Sequence, residues 1–132
     1  MRILEFPRNY ELTTIEKCGF HNTGDVNVTL PSSLIHLKRS SFFDSKLWKV
    51  DFYDQKNSKL ISIGPYSFAD SSLRSIIIPP NLEVIWDTSL GFNGLRIVKF
   101  PKDSKVLNKN AFSHTPLQRI YLPASLVKIK RG

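Results

Sequence analysis

The strongest constraint on this chain is a period. With Phe20, Phe42, Phe68, Leu90 and Phe112 as anchors, successive separations are 22, 26, 22 and 22 residues, and the long step coincides with the polar stretch Asp54-Gln55-Lys56-Asn57-Ser58-Lys59. Eight residues after each anchor stands a β-branched aliphatic (Val28, Val50, Ile76, Val98, Ile120), and ten after it a large apolar residue (Leu30, Phe52, Ile78, Phe100, Leu122). Leu47, Leu73, Leu95 and Leu117 stand five after the anchor, with Asp25 as the exception, and Pro31, Pro79, Pro101 and Pro123 stand eleven after it, with Tyr53 as the exception. A fixed period of this length denotes stacked coils, none of which buries its apolar stripe alone.

Each column has a physical reading. Side chains of an extended chain alternate with period two, so positions eight and ten point to the same, inner side of a short strand. Proline has no N–H to give a ladder and marks the strand's end. Beyond it, apolar pairs three apart recur: Leu12 and Ile15, Leu34 and Leu37, Leu60 and Ile63, Leu82 and Ile85, Leu126 and Ile129, with a lapse at Ser104 and Leu107. The residue before each anchor is small (Gly19, Ser41, Ser67, Ser89, Ala111), as expected where a bulkier side chain would meet the next coil. Burying one Leu, Ile or Phe contributes about 1.5–3 kcal/mol, so the apolar columns read as a shared core and not as a ligand pocket.

The stretch from Leu60-Ile61-Ser62-Ile63-Gly64 through Ser67-Phe68 to Leu73-Arg74-Ser75-Ile76-Ile77-Ile78-Pro79, repeated at Asn110-Ala111-Phe112 through Leu117 to Ile120-Tyr121-Leu122-Pro123, resembles the BspA-like leucine-rich repeats. The likeness runs from about Leu4 to Ile129. It implies an α/β-type repeat solenoid of about five to six coils with short parallel strands on a concave face, here filling residues 1–132 as one domain. It also implies a family in which many members are surface proteins linked to adhesion.

Composition bounds the function. The chain has a formal net charge of +8, and nine of its basic residues fall between Arg96 and Gly132 (Arg96, Lys99, Lys102, Lys105, Lys109, Arg119, Lys128, Lys130, Arg131) against one acid, Asp103. No stretch approaches the roughly 18 apolar residues of a membrane span. The N-terminal Met1-Arg2-Ile3-Leu4-Glu5-Phe6-Pro7 lacks the apolar run of a secretory signal. The compartment expected is therefore intracellular, cytoplasmic or cytoskeletal, with the cell surface as the alternative.

No catalytic constellation emerges. His21, His36 and His114 lie on different coils without metal-ligand spacing, and six glycines form no phosphate loop. No cofactor and no enzyme activity are expected. Cys18, the single cysteine, sits between Ile15 and Phe20 and reads as a buried structural thiol. Asn27-Val28-Thr29 is a formal glycosylation sequon inside a predicted strand.

The outward positions of the strands, seven and nine after each anchor, are Asn27 and Thr29, Lys49 and Asp51, Ser75 and Ile77, Ile97 and Lys99, Arg119 and Tyr121. The expected protein-binding residues are Lys49, Lys99, Arg119 and Tyr121, joined by Lys128, Lys130 and Arg131, facing an acidic protein surface. The function expected is a non-enzymatic interaction module or scaffold. A surface adhesin, or a fragment of one, is the alternative, and non-specific nucleic-acid binding through the basic end a second. The strand-like start at Leu4 and the half coil ending at Gly132 suggest that one end abuts another protein or another copy of the chain.

Overall fold

A computed structural model describes residues 2–102, 106, 107, 110–126, 128 and 129. Each coil contributes a longer strand, a return strand of two residues and a tight turn. The longer strands are β1 (Arg2–Glu5), β3 (Val26–Leu30), β5 (Leu47–Phe52), β7 (Ser75–Ile77), β9 (Ile97–Lys99) and β11 (Arg119–Tyr121). The return strands are β2 (Thr14–Ile15), β4 (His36–Leu37), β6 (Ser62–Ile63), β8 (Val84–Ile85), β10 (Val106–Leu107) and β12 (Lys128–Ile129). All pairings are parallel. Among the described residues the single helical turn is the 3-10 segment Gln55–Asn57, inside the polar insert.

The return leg had been legible only as apolar pairs. The second member of each pair, at Ile15, Leu37, Ile63 and Ile85, is the buried residue of a strand, and these strands form a continuous sheet in the order β2-β4-β6-β8. On the opposite face the longer strands form two sheets, β1-β3-β5 and β7-β9-β11. The break between β5 and β7 falls where residues Asp54 to Lys59 add chain.

The third edge is built from turns, and it is as regular as the sheets. Two residues per coil, two before and two after the anchor, take positive φ: Cys18 and Asn22, Ser40 and Asp44, Tyr66 and Asp70, Thr88 and Phe92, Asn110 and His114. Asn, Asp and His tolerate this conformation best. At the others its cost is opposed by hydrogen bonds to the next coil, as in Phe20 N–H to Ser41 O (2.7 Å), Phe42 N–H to Ser67 O (2.8 Å), Phe68 N–H to Ser89 O (2.8 Å) and Leu90 N–H to Ala111 O (3.0 Å).

The anchors point inward. Phe42, Phe68 and Leu90 are fully buried, Phe20 stacks on Phe42 at 5.1 Å between ring centroids, and Phe42 stacks on Phe68 at 5.5 Å. Three residues beyond four of the five anchors stands a polar residue whose side chain donates back to the anchor's carbonyl: Ser45 to Phe42 O, Ser71 to Phe68 O, Asn93 to Leu90 O and Thr115 to Phe112 O; the hydroxyl of Thr23, in the same column, makes no such bond. These bonds satisfy main-chain acceptors that the turn withdraws from water.

The small residue before the anchor is hemmed in by its own coil as well as by the neighbouring one. A Cβ at Gly19 would press on Ile15 Cγ2 (3.0 Å) and Glu16 O (3.2 Å) of its own coil. The Ser67 hydroxyl reaches Lys38 O and Gly64 O, so this column also carries hydrogen bonds. Coils approach closely at Gly64, where a Cβ would stand 2.8 Å from Leu37 O and 2.9 Å from the Lys38 carbonyl carbon, and at Gly91, where it would stand 2.8 Å from Ser113 O.

Two expectations about burial are corrected. Cys18 is exposed, because its positive φ at the turn carries the side chain outward although Ile15 and Phe20 flank it in sequence. Ile120 and Leu122 are 39% and 45% exposed although their columns are buried in earlier coils. β11 is the edge strand of its sheet, so among the described residues no further longer strand covers them.

Candidate protein-binding face

The expected binding residues do not form one column. Lys49 lies on β5, in the first sheet, and its ammonium pairs with Asp51 at 2.9 Å, so its charge is already countered. Lys128 lies on β12, beside Val106 of the return leg, and not with the longer strands. Lys130 and Arg131 lie outside the described residues. Lys99, Arg119 and Tyr121 do come together. Ser75, Ile97 and Arg119 are in one register across β7, β9 and β11, and Ile77, Lys99 and Tyr121 in the next outward one.

The two sheets differ in electrostatics. On the first, Arg2 and Lys49 are matched by Glu5 and Asp51, and Asn27 and Thr29 are half-buried. On the second, Arg74, Arg96, Lys99 and Arg119 stand with no Asp or Glu in residues 71–78, 93–100 or 116–122. Lys49–Asp51 is the only ion pair among the described residues, so none of these four cations has a carboxylate partner. The second sheet also exposes apolar and aromatic side chains, Ile77, Ile97 and Tyr121, by 53%, 42% and 50%, with Lys99 between Ile77 and Tyr121. Apolar and aromatic side chains interleaved with cations offer a partner both contact area and charge.

Sequence reasoning missed the row six residues after each anchor: Trp48, Arg74, Arg96 and Gln118. The strand register shifts between Val26 and Asn27, pairing Val26 with Leu47 and Asn27 with Lys49, so Trp48 is the extra residue and bulges outward. The Arg74 guanidinium carbon lies 5.8 Å from the centre of its ring. A groove of about 290 Å³ is lined by Trp48, Ser72, Arg74, Gly94 and Arg96, among others. The signal was in the sequence as an aromatic and two arginines in one column.

Among the described residues no three His, Cys, Asp or Glu side chains converge on a point that could hold a metal ion, and no helix is long and apolar enough to cross a membrane.

Six copies of the BspA type leucine rich repeat region match the chain over residues 2–115. The chain belongs to this repeat family. Its parallel-strand solenoid of about five turns with almost no helix is the architecture of such repeats. No curated protein and no solved structure matches it. Leucine-rich repeats generally mediate contact between proteins and are typically non-enzymatic.

Proposed function

We propose that this leucine-rich repeat chain is an interaction module that docks on an acidic segment of a partner protein through the face of β7, β9 and β11. The observation that supports it most is the set of four cations, none with a carboxylate partner among the described residues, interleaved with or beside Ile77, Ile97 and Tyr121. Adjacent strands lie about 4.7–4.9 Å apart, well inside the roughly 8 Å screening length at physiological salt, so the cations act on one ligand together. Exposed charges mainly speed association, whereas a partly desolvated Arg or Tyr prolongs the complex. Arg119 and Tyr121 are therefore the residues whose loss costs most. Lys49, which lines a groove with Ser75 and Ile77, borders this face with its charge countered by Asp51, whereas Lys128 lies on the return leg.

The test is a titration with a short peptide of glutamate and leucine, at low and high salt. Arg119→Ala combined with Tyr121→Ala should weaken binding about tenfold or more, and added salt should weaken the unaltered protein. Lys56→Ala, in the exposed 3-10 turn, is the control. Equal losses in control and double variant, or an affinity indifferent to salt, exclude this face. Preference for a single-stranded oligonucleotide over the peptide would replace the protein partner by nucleic acid.

A further inference from the structure

Arg74 and Arg96 occupy the same position in successive coils, joined by the bond from Arg96 N–H to Arg74 O (2.8 Å). Both are exposed, and among the described residues neither has a carboxylate partner. Two guanidinium-bearing residues held one strand spacing apart repel each other, and the sequence supplies no acid in the same strands to relieve it. The groove beside them is lined by small residues, Ser72 and Gly94. A Cβ at Gly94 would meet nothing nearer than 3.7 Å, so there is open space where a side chain would otherwise stand. Among the described residues, the main-chain N–H groups of Ser72 and Gly94 donate to no protein acceptor. Trp48 closes the row, its ring within cation–π distance of Arg74.

One carboxylate matches one guanidinium. A phosphate monoester carries close to two negative charges and three acceptor oxygens, and arginine is the side chain that grips it in a planar, two-point manner. We propose that Arg74 and Arg96, with Trp48, Ser72 and Gly94 around the groove, form a subsite for a phosphorylated side chain of the partner protein. This rests on the acidic-segment reading above and deepens it: β9 and β11 hold the segment through Lys99, Arg119 and Tyr121, and the arginine pair reads whether it is phosphorylated. Docking is then switched on or strengthened by a kinase acting on the partner.

The experiment uses the full chain and three forms of one glutamate-leucine peptide, with a central serine, phosphoserine or glutamate, measured by calorimetry. Phosphoserine should bind about tenfold more tightly than serine, the worth of one added charge-assisted hydrogen bond, with glutamate between them. Arg96→Ala and Arg74→Ala should weaken every form of the peptide through the loss of one cation, but on either variant phosphoserine and serine should bind alike, and Arg96→Lys should restore only part of the difference between them, because an ammonium keeps the charge without the fork. Both arginines are exposed, so the variants should melt with the unaltered protein.

If the serine and phosphoserine peptides bind equally, or the gain survives in both alanine variants, the phosphoryl subsite is wrong while the acidic-segment reading stands. If no form of the peptide binds, both fall. If inorganic phosphate at millimolar concentration competes as well as the phosphopeptide, the subsite holds free phosphate and the partner-protein proposal is overturned.

Discussion

Replacing Gly64 by alanine should destabilise the solenoid, whereas the same replacement at Gly94 should not. At Gly64 the added methyl would stand 2.8 Å from Leu37 O, 2.9 Å from the Lys38 carbonyl carbon and 3.0 Å from Arg39 N, all main-chain atoms of the preceding coil. That backbone cannot retreat cheaply, because Gly64 N–H donates to Leu37 O (2.8 Å), Lys38 N–H donates to Ile15 O (3.0 Å), and Lys38 O accepts from Ser67. Overpacking of this kind costs roughly 1–3 kcal/mol. At Gly94 the nearest atoms to a new methyl are Leu73 O at 3.7 Å and Arg74 Cγ at 4.0 Å, ordinary contacts. Both substitutions restrict the unfolded chain alike, a stabilising effect of about 0.4–1 kcal/mol that cancels in the comparison. The two variants should therefore differ by about 1–3 kcal/mol. At about 4 °C per kcal/mol for a domain of this size, Gly64→Ala should melt roughly 4–12 °C below Gly94→Ala. Urea unfolding followed by circular dichroism, with calorimetric melting beside it, measures the difference. Melting points within a degree of each other would refute the close approach of coils at Gly64.

Ile76→Asp should abolish cooperative folding, since Ile76 is 2% exposed and an unpaired charge there costs several kcal/mol, while Lys102→Asp on the surface should leave the melting temperature almost unchanged. Equal melting of the two would defeat the inward assignment of that column. Ser71→Ala should cost about 1–2 kcal/mol by leaving the buried Phe68 carbonyl without its side-chain donor, and Ser71→Thr should recover most of it, as threonine fills the same position at Thr115. A chemical melt showing Ser71→Ala as stable as Ser75→Ala, on the exposed face, would refute the role of this hydroxyl. Cys18 should react with a thiol reagent in the folded protein nearly as fast as in the urea-unfolded chain, because its side chain is exposed. Protection until unfolding would show that it is buried after all.

Periodicity made the inner columns readable: Val28, Val50, Ile76 and Val98 are all buried. It states which way a side chain points, not whether a coil covers it, and so it could not distinguish Ile120 from Ile76. The polar column at Thr23, Ser45, Ser71, Asn93 and Thr115 was equally periodic. A search for apolar stripes passes over it, although a polar column within an apolar coil signals main-chain groups in need of partners. Cys18 was misread because proximity to Ile15 and Phe20 in sequence ignores a left-handed residue that reverses the side chain's direction. The candidate face was legible in its β9 and β11 portion, where spacing alone brings Lys99 and Tyr121 into register. Its Trp48, Arg74 and Arg96 edge stood in one column six after the anchors, but a search confined to positions seven and nine passed over it, and no repeat count announces the bulge that turns Trp48 outward.

The insert between Asp54 and Lys59 lengthens one coil, yet the return strands on either side keep step: His36 pairs with Ser62 and Ser62 with Val84, though the first interval is 26 residues and the second 22. The extra chain is thus spent at one corner, in an exposed 3-10 turn whose Lys56 and Asn57 face solvent. An array with this property tolerates drift in loop length without losing phase, so natural variants can diversify that corner while their neighbours stay aligned. It is also where an engineer would graft a tag or a recognition loop, between Lys56 and Asn57, displaying it from a spine whose return sheet runs unbroken past the addition.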